Sequence, residues 1–138
     1  MDVVVHAPAV AVVALDRGGR LVLVRQARAG AGRPLLELPA GLMKDGEEPL
    51  AAAVRELREE TGLHGGDWRL LTTFFTTPGF SDELMHVYLA AGLDDGTPEP
   101  DPDEELEVVR VPRAGVPGLL GTIEDAKTLV GLLLLLRL

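Results

Sequence analysis

Three glutamates near the end of one predicted helix are the strongest candidates for chemistry in this sequence. Glu56, Glu59 and Glu60 have i, i+3 and i+4 spacing, which places them on one helix face. Like charges at this spacing repel, and carboxylates in the last turns also face the negative end of the helix dipole. A divalent cation would relieve both effects, because clustered carboxylates are the hard oxygen ligands that magnesium, calcium or manganese prefers. The pattern predicts a metal site, and a solvated face crowded with salt bridges is the alternative that it leaves open.

The helix that positions these glutamates is predicted from Pro49 to Thr61, a run rich in Ala, Leu, Glu and Arg with no internal Gly or Pro. Pro49 suits the first turn, and Gly62 suits the left-handed position after the last turn. A core-facing stripe is expected from apolar residues at i, i+3, i+4 and i+7, namely Leu50, Ala53, Val54 and Leu57. At about 100° per residue, the acidic face is centred roughly 115° from that stripe. We therefore expect the glutamates to lie beside the buried edge, as the wall of a groove would.

The spacing of the residues around this helix is more specific than the acidic face alone. From Gly41 to Leu63 the chain reads GLMKDGEEPLAAAVRELREETGL, which resembles the Nudix box, G-x5-E-x7-R-E-U-x-E-E-x-G-U with U aliphatic. All nine fixed positions are filled, by Gly41, Glu47, Arg55, Glu56, Leu57, Glu59, Glu60, Gly62 and Leu63. The resemblance to Nudix hydrolases implies divalent-metal-dependent hydrolysis of the diphosphate bond in a nucleoside diphosphate linked to another moiety. It also implies an α+β fold, an α/β/α sandwich with a mixed β-sheet.

The same resemblance implies roles for individual residues. Glu56 and Glu60 would be the chief metal ligands, and the backbone carbonyl of Ala40 a further ligand. Glu59 would be a metal ligand or a catalytic residue that orients water. Magnesium is the expected ion, with manganese as the alternative. The positions expected to hold the loop and the helix in place are Gly41, Glu47, Arg55 and Gly62.

Three segments outside the box resemble the ADP-ribose pyrophosphatase branch of these hydrolases. They are ELPAG, which ends at Gly41, VRQAR, which ends at Arg28, and PGFSDE, which begins at Pro78. Together they imply that ADP-ribose is cleaved to AMP and ribose 5-phosphate, and they make Arg28, Pro78, Phe80 and Glu83 the substrate-binding candidates. Of the aromatic residues, Phe80 is expected to be the best placed to stack on a base. The plainer interpretations of the three segments are a strand end, a surface charge and a turn.

An acidic loop, Asp101–Glu105, precedes a predicted strand at the place where that branch carries a catalytic glutamate. Glu104 is the predicted general base, with Glu105 and Asp103 as rivals. A solvated acidic loop is the alternative. Because the box begins at Gly41, we also expect the N-terminal segment that docks on a partner subunit in that branch to be missing or very short. Adenine would then be held loosely, and a homodimer is left open.

Two other functions remain consistent with the box. One is a housecleaning Nudix hydrolase that acts on nucleoside triphosphates or dinucleoside polyphosphates. The other is a non-catalytic Nudix module that senses a nucleotide, although such a module would be expected to lose the box glutamates, and all of them are present.

Composition limits the partners. The chain of 138 residues predicts one Nudix domain over residues 1–138, and its net charge of −9 argues against binding to nucleic acid or to an anionic membrane surface. The expected partner is a small-molecule nucleotide. The absence of cysteine excludes disulfides and zinc-thiolate sites and is compatible with a cytoplasmic location. The apolar run Leu129–Leu138 is shorter than the roughly 20 residues of a membrane span, so we expect a buried C-terminal helix.

The remaining elements follow from the alternation of Val- and Leu-rich runs with Gly, Pro and Asp. The expected strands are Val3–Leu15, Arg20–Gln26, Leu35–Pro39, Trp68–Thr77, Glu83–Ala91 and Leu106–Val111, and Ile123–Leu138 is the expected closing helix.

Overall fold

The central strand of the protein is buried along its whole length. In the computed structural model, which describes residues 2–138, this strand is β1 (Ala9–Asp16), and all eight of its residues are buried. Odd-numbered β1 residues such as Val13 pack with the C-terminal helix, and even-numbered ones such as Val12 pack with the glutamate-bearing helix. A strand whose alternate side chains are both covered must lie in the middle layer of a sandwich. The α+β sandwich with a mixed sheet is therefore confirmed.

Seven strands form one sheet in the order β3-β2-β1-β6-β5, with β4 paired to β1 and β7 paired to β2. The strand β6 runs parallel to β1, and the other pairs are antiparallel. The remaining strands are β2 (Leu21–Arg28), β3 (Arg33–Glu37), β4 (Ala40–Leu42), β5 (Asp67–Phe75), β6 (Leu84–Leu93) and β7 (Leu106–Val111). The helices are α1 (Pro49–Thr61), α2 (Val116–Leu119) and α3 (Ala126–Leu136), and 3-10 turns flank α2. Within residues 2–138, every helix is too short or too polar to span a membrane.

The sheet divides between β1 and β2. These strands are paired only near one end, at Ala14 with Val22 and at Leu15 with Leu21. Beyond that point β1 pairs with β4, whereas β2 pairs with β3 and β7. The divergence opens space at the end of the sheet that carries Ala9 and Arg28.

Several predicted boundaries were wrong. The first strand begins at Ala9 rather than Val3, because Pro8 has no N–H to donate to a ladder. The preceding segment instead forms a parallel bridge between Val4 and Ser81. The short strand β4 was not predicted. The closing helix begins at Ala126 rather than Ile123, because the backbone at Ile123 is extended.

The predicted bounds of α1 are confirmed, but its predicted core-facing stripe is partly wrong. Leu50 and Val54 are exposed, whereas Ala53 and Leu57 are buried. The buried face also includes Glu60, which is 4% exposed. The helix is therefore rotated toward its acidic side, and a carboxylate occupies a place that the apolar pattern assigned to the edge of the core.

The end of α1 makes a close contact with the loop that follows β6. Gly62 has φ 80°, and its N–H donates to the carbonyl of Arg58 at 2.9 Å. A Cβ at position 62 would lie 2.2 Å from the carbonyl oxygen of Gly96. The N–H of Glu99 also donates to the carbonyl of Glu59 at 2.8 Å. These contacts hold the segment 96–99, which leads into the acidic loop, against the last turn of the helix.

This contact gives a stability prediction with an internal control. Gly46 has φ 74° and open space around its Cα, so Gly46→Ala should lose only the left-handed strain, about 1–2 kcal/mol. Gly62→Ala should lose that amount and roughly 1–3 kcal/mol more, because the added methyl overlaps backbone. Urea denaturation of both variants measures the difference. Equal losses would show that the loop contact does not constrain the helix end.

Candidate functional site

A cavity of about 490 Å³ lies where β1 and β2 diverge. The backbone of β4 and one face of α1 form one side of it, and the end of β2 and the start of α3 form another. Its charged and titratable lining residues are His6, Arg28, Glu56, Glu60, Glu83, Asp101, Glu104 and Lys127. Five carboxylates therefore share one cavity with two permanent cations.

Glu60 is the most deeply buried of these carboxylates. It lies on the buried face of α1, and its Oε2 atom has no hydrogen-bond partner among the described residues. Burial, followed by the charges of Glu56 and Glu104, raises the pKa of Glu60 to about 8. An ionised carboxylate in this position is costly unless a cation or donor reaches it.

Glu56 is one turn earlier on α1, and it occupies space that only a glycine provides. A Cβ at Gly41 would lie 2.1 Å from the carboxyl carbon of Glu56. Burial raises the pKa of Glu56, and the neighbouring Arg55 opposes that shift. Because Gly41 has no side chain, the Glu56 carboxylate can pack directly against the backbone of β4.

Arg55 connects the loop before α1 to the helix. Its Nε and Nη2 atoms donate to the two carboxylate oxygens of Glu47 at 2.8 and 3.0 Å, and Nη2 also donates to the carbonyl of Leu42 at 3.1 Å. Its Nη1 atom donates to Glu56 at 2.9 Å and to Glu59 at 3.3 Å. The Arg55 guanidinium lowers the pKa of Glu47 to about 2. One guanidinium thus fixes the loop and two of the three helix glutamates.

The pair Glu56 and Glu60 fits a hard divalent cation. No three acidic, histidine or cysteine side chains among residues 2–138 are gathered closely enough to enclose an ion on their own. Magnesium does not need such a cage, because it retains waters and commonly binds through one or two carboxylates together with substrate phosphates. An unpartnered buried oxygen on Glu60 and the mutual repulsion of the two carboxylates are what a cation would relieve. Glu59 lies outside the cavity lining and contacts Arg55 instead.

The acidic loop contributes Glu104 to the same cavity. Its backbone N–H donates to the carbonyl of Asp101 at 2.9 Å, and the Glu104 side chain accepts from the N–H of Asp101 at 3.3 Å. Asp101 also lines the cavity. Of the two rivals for the general base, Glu105 lines a neighbouring groove and Asp103 is exposed. Glu104 is therefore the member of the three that faces Glu56 and Glu60.

The basic side of the cavity depends on a buried carboxylate. Arg28 donates from Nε and Nη2 to Glu37 at 2.7 and 2.8 Å, and Lys127 donates to the same carboxylate at 2.8 Å. Glu37 is 1% exposed. Although burial raises the pKa of Glu37, its hydrogen bonds to Arg28 and Lys127 lower it further, so the net shift is downward. Glu37, the last residue of β3, thus holds two cations in place.

The remaining substrate-binding candidates divide into two groups. Glu83 lines the cavity, where it contacts His6 at 2.8 Å and accepts a hydrogen bond from Thr76 at 2.7 Å. Pro78 and Phe80 are exposed and lie outside the lining. Sequence reasoning missed His6, Asp101 and Lys127. The aspartate could have been found from its place in the acidic loop, whereas the other two have no local motif.

Comparisons with known proteins agree on one family. A family model described as NUDIX domain matches residues 5–129. The chain is 41% identical over 131 residues to an ADP-ribose pyrophosphatase of Bacillus subtilis (strain 168), which covers 94% of this chain and 65% of that protein. It is 50% identical over 105 residues to an ADP-ribose pyrophosphatase of Mycobacterium tuberculosis (strain ATCC 25618 / H37Rv), which covers 75% of this chain and 51% of that protein. This chain therefore spans between half and two thirds of the length of these relatives. A crystal structure of an ADP compounds hydrolase superposes with a TM-score of 0.85 at 30% identity, over 94% of this chain and 71% of the other.

The unpartnered oxygen of Glu60 predicts how thermal stability responds to metal. In chelated protein above pH 8, where Glu60 is ionised, Glu60→Gln should melt at the same temperature as the wild type or higher, because it removes a buried charge and its repulsion by Glu56. Magnesium should raise the Tm of the wild type by mass action and leave that of Glu60→Gln nearly unchanged. Glu107→Gln, the same substitution at an exposed position on β7, is the control and should respond as the wild type does. Equal magnesium shifts in all three proteins would place the cation elsewhere.

Proposed function

The chain belongs to the NUDIX domain family, and from this we propose that it hydrolyses the diphosphate bond of a nucleoside diphosphate linked to another moiety. The observation that carries the proposal is the arrangement of charge in the cavity. Glu56, Glu60 and Glu104 line it together with Arg28. A diphosphate needs cations on several sides, and divalent ions held by the glutamates would supply those that the protein lacks.

The glutamates have separate parts in the proposed reaction. Glu56 and Glu60 would hold the divalent cation, with the backbone carbonyl of Ala40 beside them. When bound, such a cation supplies positive charge against the diphosphate oxygens and makes water more acidic. Glu104 would accept the proton from the attacking water. As the water oxygen bonds to phosphorus, the bridging P–O bond breaks. Arg55 and Glu47 do not reach the cavity and would act by fixing α1 against the preceding loop.

We propose ADP-ribose as the substrate, with AMP and ribose 5-phosphate as products. Support comes from the likeness to two ADP-ribose pyrophosphatases and from Arg28, which lines the cavity where it could meet a phosphate. Phe, Tyr and Trp are not among the lining residues in the described part of the chain. Trp68 and Tyr88 instead contact each other edge to face, with ring centroids 6.4 Å apart. Adenine would therefore be held with little stacking, and other nucleoside diphosphate sugars should be accepted with modest penalties.

Metal dependence and the part played by Glu60 can be tested together. EDTA should abolish turnover, and magnesium or manganese should restore it. Glu60→Gln should lower kcat by about 10³-fold or more, the scale expected when a principal transition-state charge stabiliser is lost. Circular dichroism would verify that the variant is folded. Near-normal kcat in the variant, or full turnover in exhaustively chelated enzyme, would show that the metal assignment is wrong.

The substrate assignment can be tested through Arg28. Charge-assisted contacts to phosphate are worth roughly 1.5–3 kcal/mol, so Arg28→Ala should lower kcat/KM for ADP-ribose by about 10- to 100-fold. Arg25→Ala is a matched control, because Arg25 lies on the same strand, is half exposed and pairs with Glu107 away from the cavity. Chromatography of the products should reveal AMP and ribose 5-phosphate. A kcat/KM for a nucleoside triphosphate far above that for ADP-ribose would overturn the substrate and leave the family unchanged.

A further inference from the structure

Lys127 is a cation of the cavity wall that no motif accounts for. It is the second residue of α3, and its side chain is only 14% exposed. Its Nζ atom donates to Glu37 at 2.8 Å and to Asp125 at 2.9 Å. The simplest interpretation is a structural ion pair that fixes the start of α3 against the sheet. Three further features of the cluster are not explained by that interpretation.

The first feature is the direction of the charges. Arg28 and Lys127 both line the cavity, whereas their shared partner Glu37 and the second partner Asp125 lie outside the lining. The two positive groups therefore lie at the cavity surface, and the two negative groups lie behind them. Fixed dipoles oriented in this way stabilise an anion without having to reorganise when it binds.

The second feature is unused hydrogen-bonding capacity. An ammonium has three N–H donors, and Lys127 uses two of them within residues 2–138. A guanidinium has five, and Arg28 uses its Nε and one Nη2 donor on Glu37. Each cation thus keeps at least one donor that its structural partners do not use.

The third feature is the strength of the support beneath the cations. Thr128 follows Lys127 in α3, is buried, and donates to Asp125 at 2.6 Å. The N–H of Leu38 donates to the Thr128 hydroxyl at 3.0 Å. The start of α3 is thereby bonded to the segment that carries Glu37. These bonds fix the position of Lys127 relative to the cavity.

We propose that Lys127 is a second anion-binding residue of this cavity, and that it forms a two-cation clamp on phosphate oxygens together with Arg28. Glu37 is the positioning residue for both cations. This inference rests on the proposed diphosphate substrate, but it concerns phosphate groups in general and does not depend on ADP-ribose.

The chain itself offers a direct spectroscopic test. Lys44 and Lys127 are its only lysines, and Lys44 is exposed on the loop before α1. Protein labelled with ¹³C at the lysine Cε therefore gives two signals from lysine side chains, which Lys44→Arg assigns. Inorganic pyrophosphate with magnesium should shift the Lys127 signal and leave the Lys44 signal in place. The α,β-methylene analogue of ADP-ribose should do the same.

Substitution measures how much the contact contributes. Lys127→Met should weaken pyrophosphate binding by about 10- to 100-fold in calorimetry, the range for a charge-assisted hydrogen bond. Lys44→Met is the matched control and should bind as the wild type does. Lys127→Arg keeps the charge and should recover most of the affinity. With substrate, Lys127→Met should raise KM more than it lowers kcat, because the contact is made in both the ground and the transition state.

The outcomes separate this inference from the proposed function. If pyrophosphate shifts the Lys127 signal but ADP-ribose is not hydrolysed, the substrate is wrong and the clamp is supported. If ADP-ribose is hydrolysed while the Lys127 signal stays fixed with both ligands, the clamp is overturned. Unchanged pyrophosphate affinity in Lys127→Met, with a lower Tm, would likewise leave only the structural ion pair. If that variant does not fold, the signals of the wild-type protein decide the matter.

Discussion

The rest of the site depends on a buried carboxylate that has no salt-bridge partner among the described residues. Glu60 occupies the buried face of α1, its Oε2 atom has no partner in the described chain, and the charges nearest to it include two more glutamates. When it is ionised, such a group destabilises the folded protein unless a cation reaches it. The surrounding structure keeps the Glu60 carboxylate buried and without an ion-pair partner within residues 2–138. The helix is rotated so that Glu60 faces inward, and the cation that could pair with it from the same helix, Arg55, is directed to other partners.

The sheet makes room for the charged groups by dividing. Because β1 and β2 are paired only near one end, their other ends diverge and leave a cavity between them. One side of that space is acidic and the other contains Arg28 and Lys127. Each side is braced by bonds that lie away from the space itself, Arg55 to Glu47 on one side and Glu37 to the two cations on the other. These ion pairs therefore hold the two sides of the cavity in place.

Local patterns in the sequence were sufficient for the parts of the molecule that are set by near neighbours. The bounds of α1 follow from Pro49 and Gly62, and the box spacing singled out Glu56 and Glu60, which both line the cavity. The N-terminal strand was predicted too long, because its early residues bridge to Ser81, a contact made across the fold. Lys127 could not be found in this way, since it reaches the cavity only when α3 packs on β1 and brings it to a glutamate 90 residues earlier in the chain. The apolar stripe failed for a related reason, because periodicity cannot reveal that a carboxylate has been placed in the core.

The first glycine of the box is required for space rather than for backbone conformation. Gly41 does not have a positive φ, yet a methyl group there would overlap the carboxylate of Glu56. The rest of the chain would be little disturbed, because the obstructed group is a side chain that can turn aside. A single added methyl group would therefore displace the Glu56 carboxylate while leaving the sheet, the helix and the basic side of the cavity intact. Under the proposed function, a variant with this methyl group would keep a cavity shaped for nucleotides but lose hydrolysis, while every glutamate of the box would still be present.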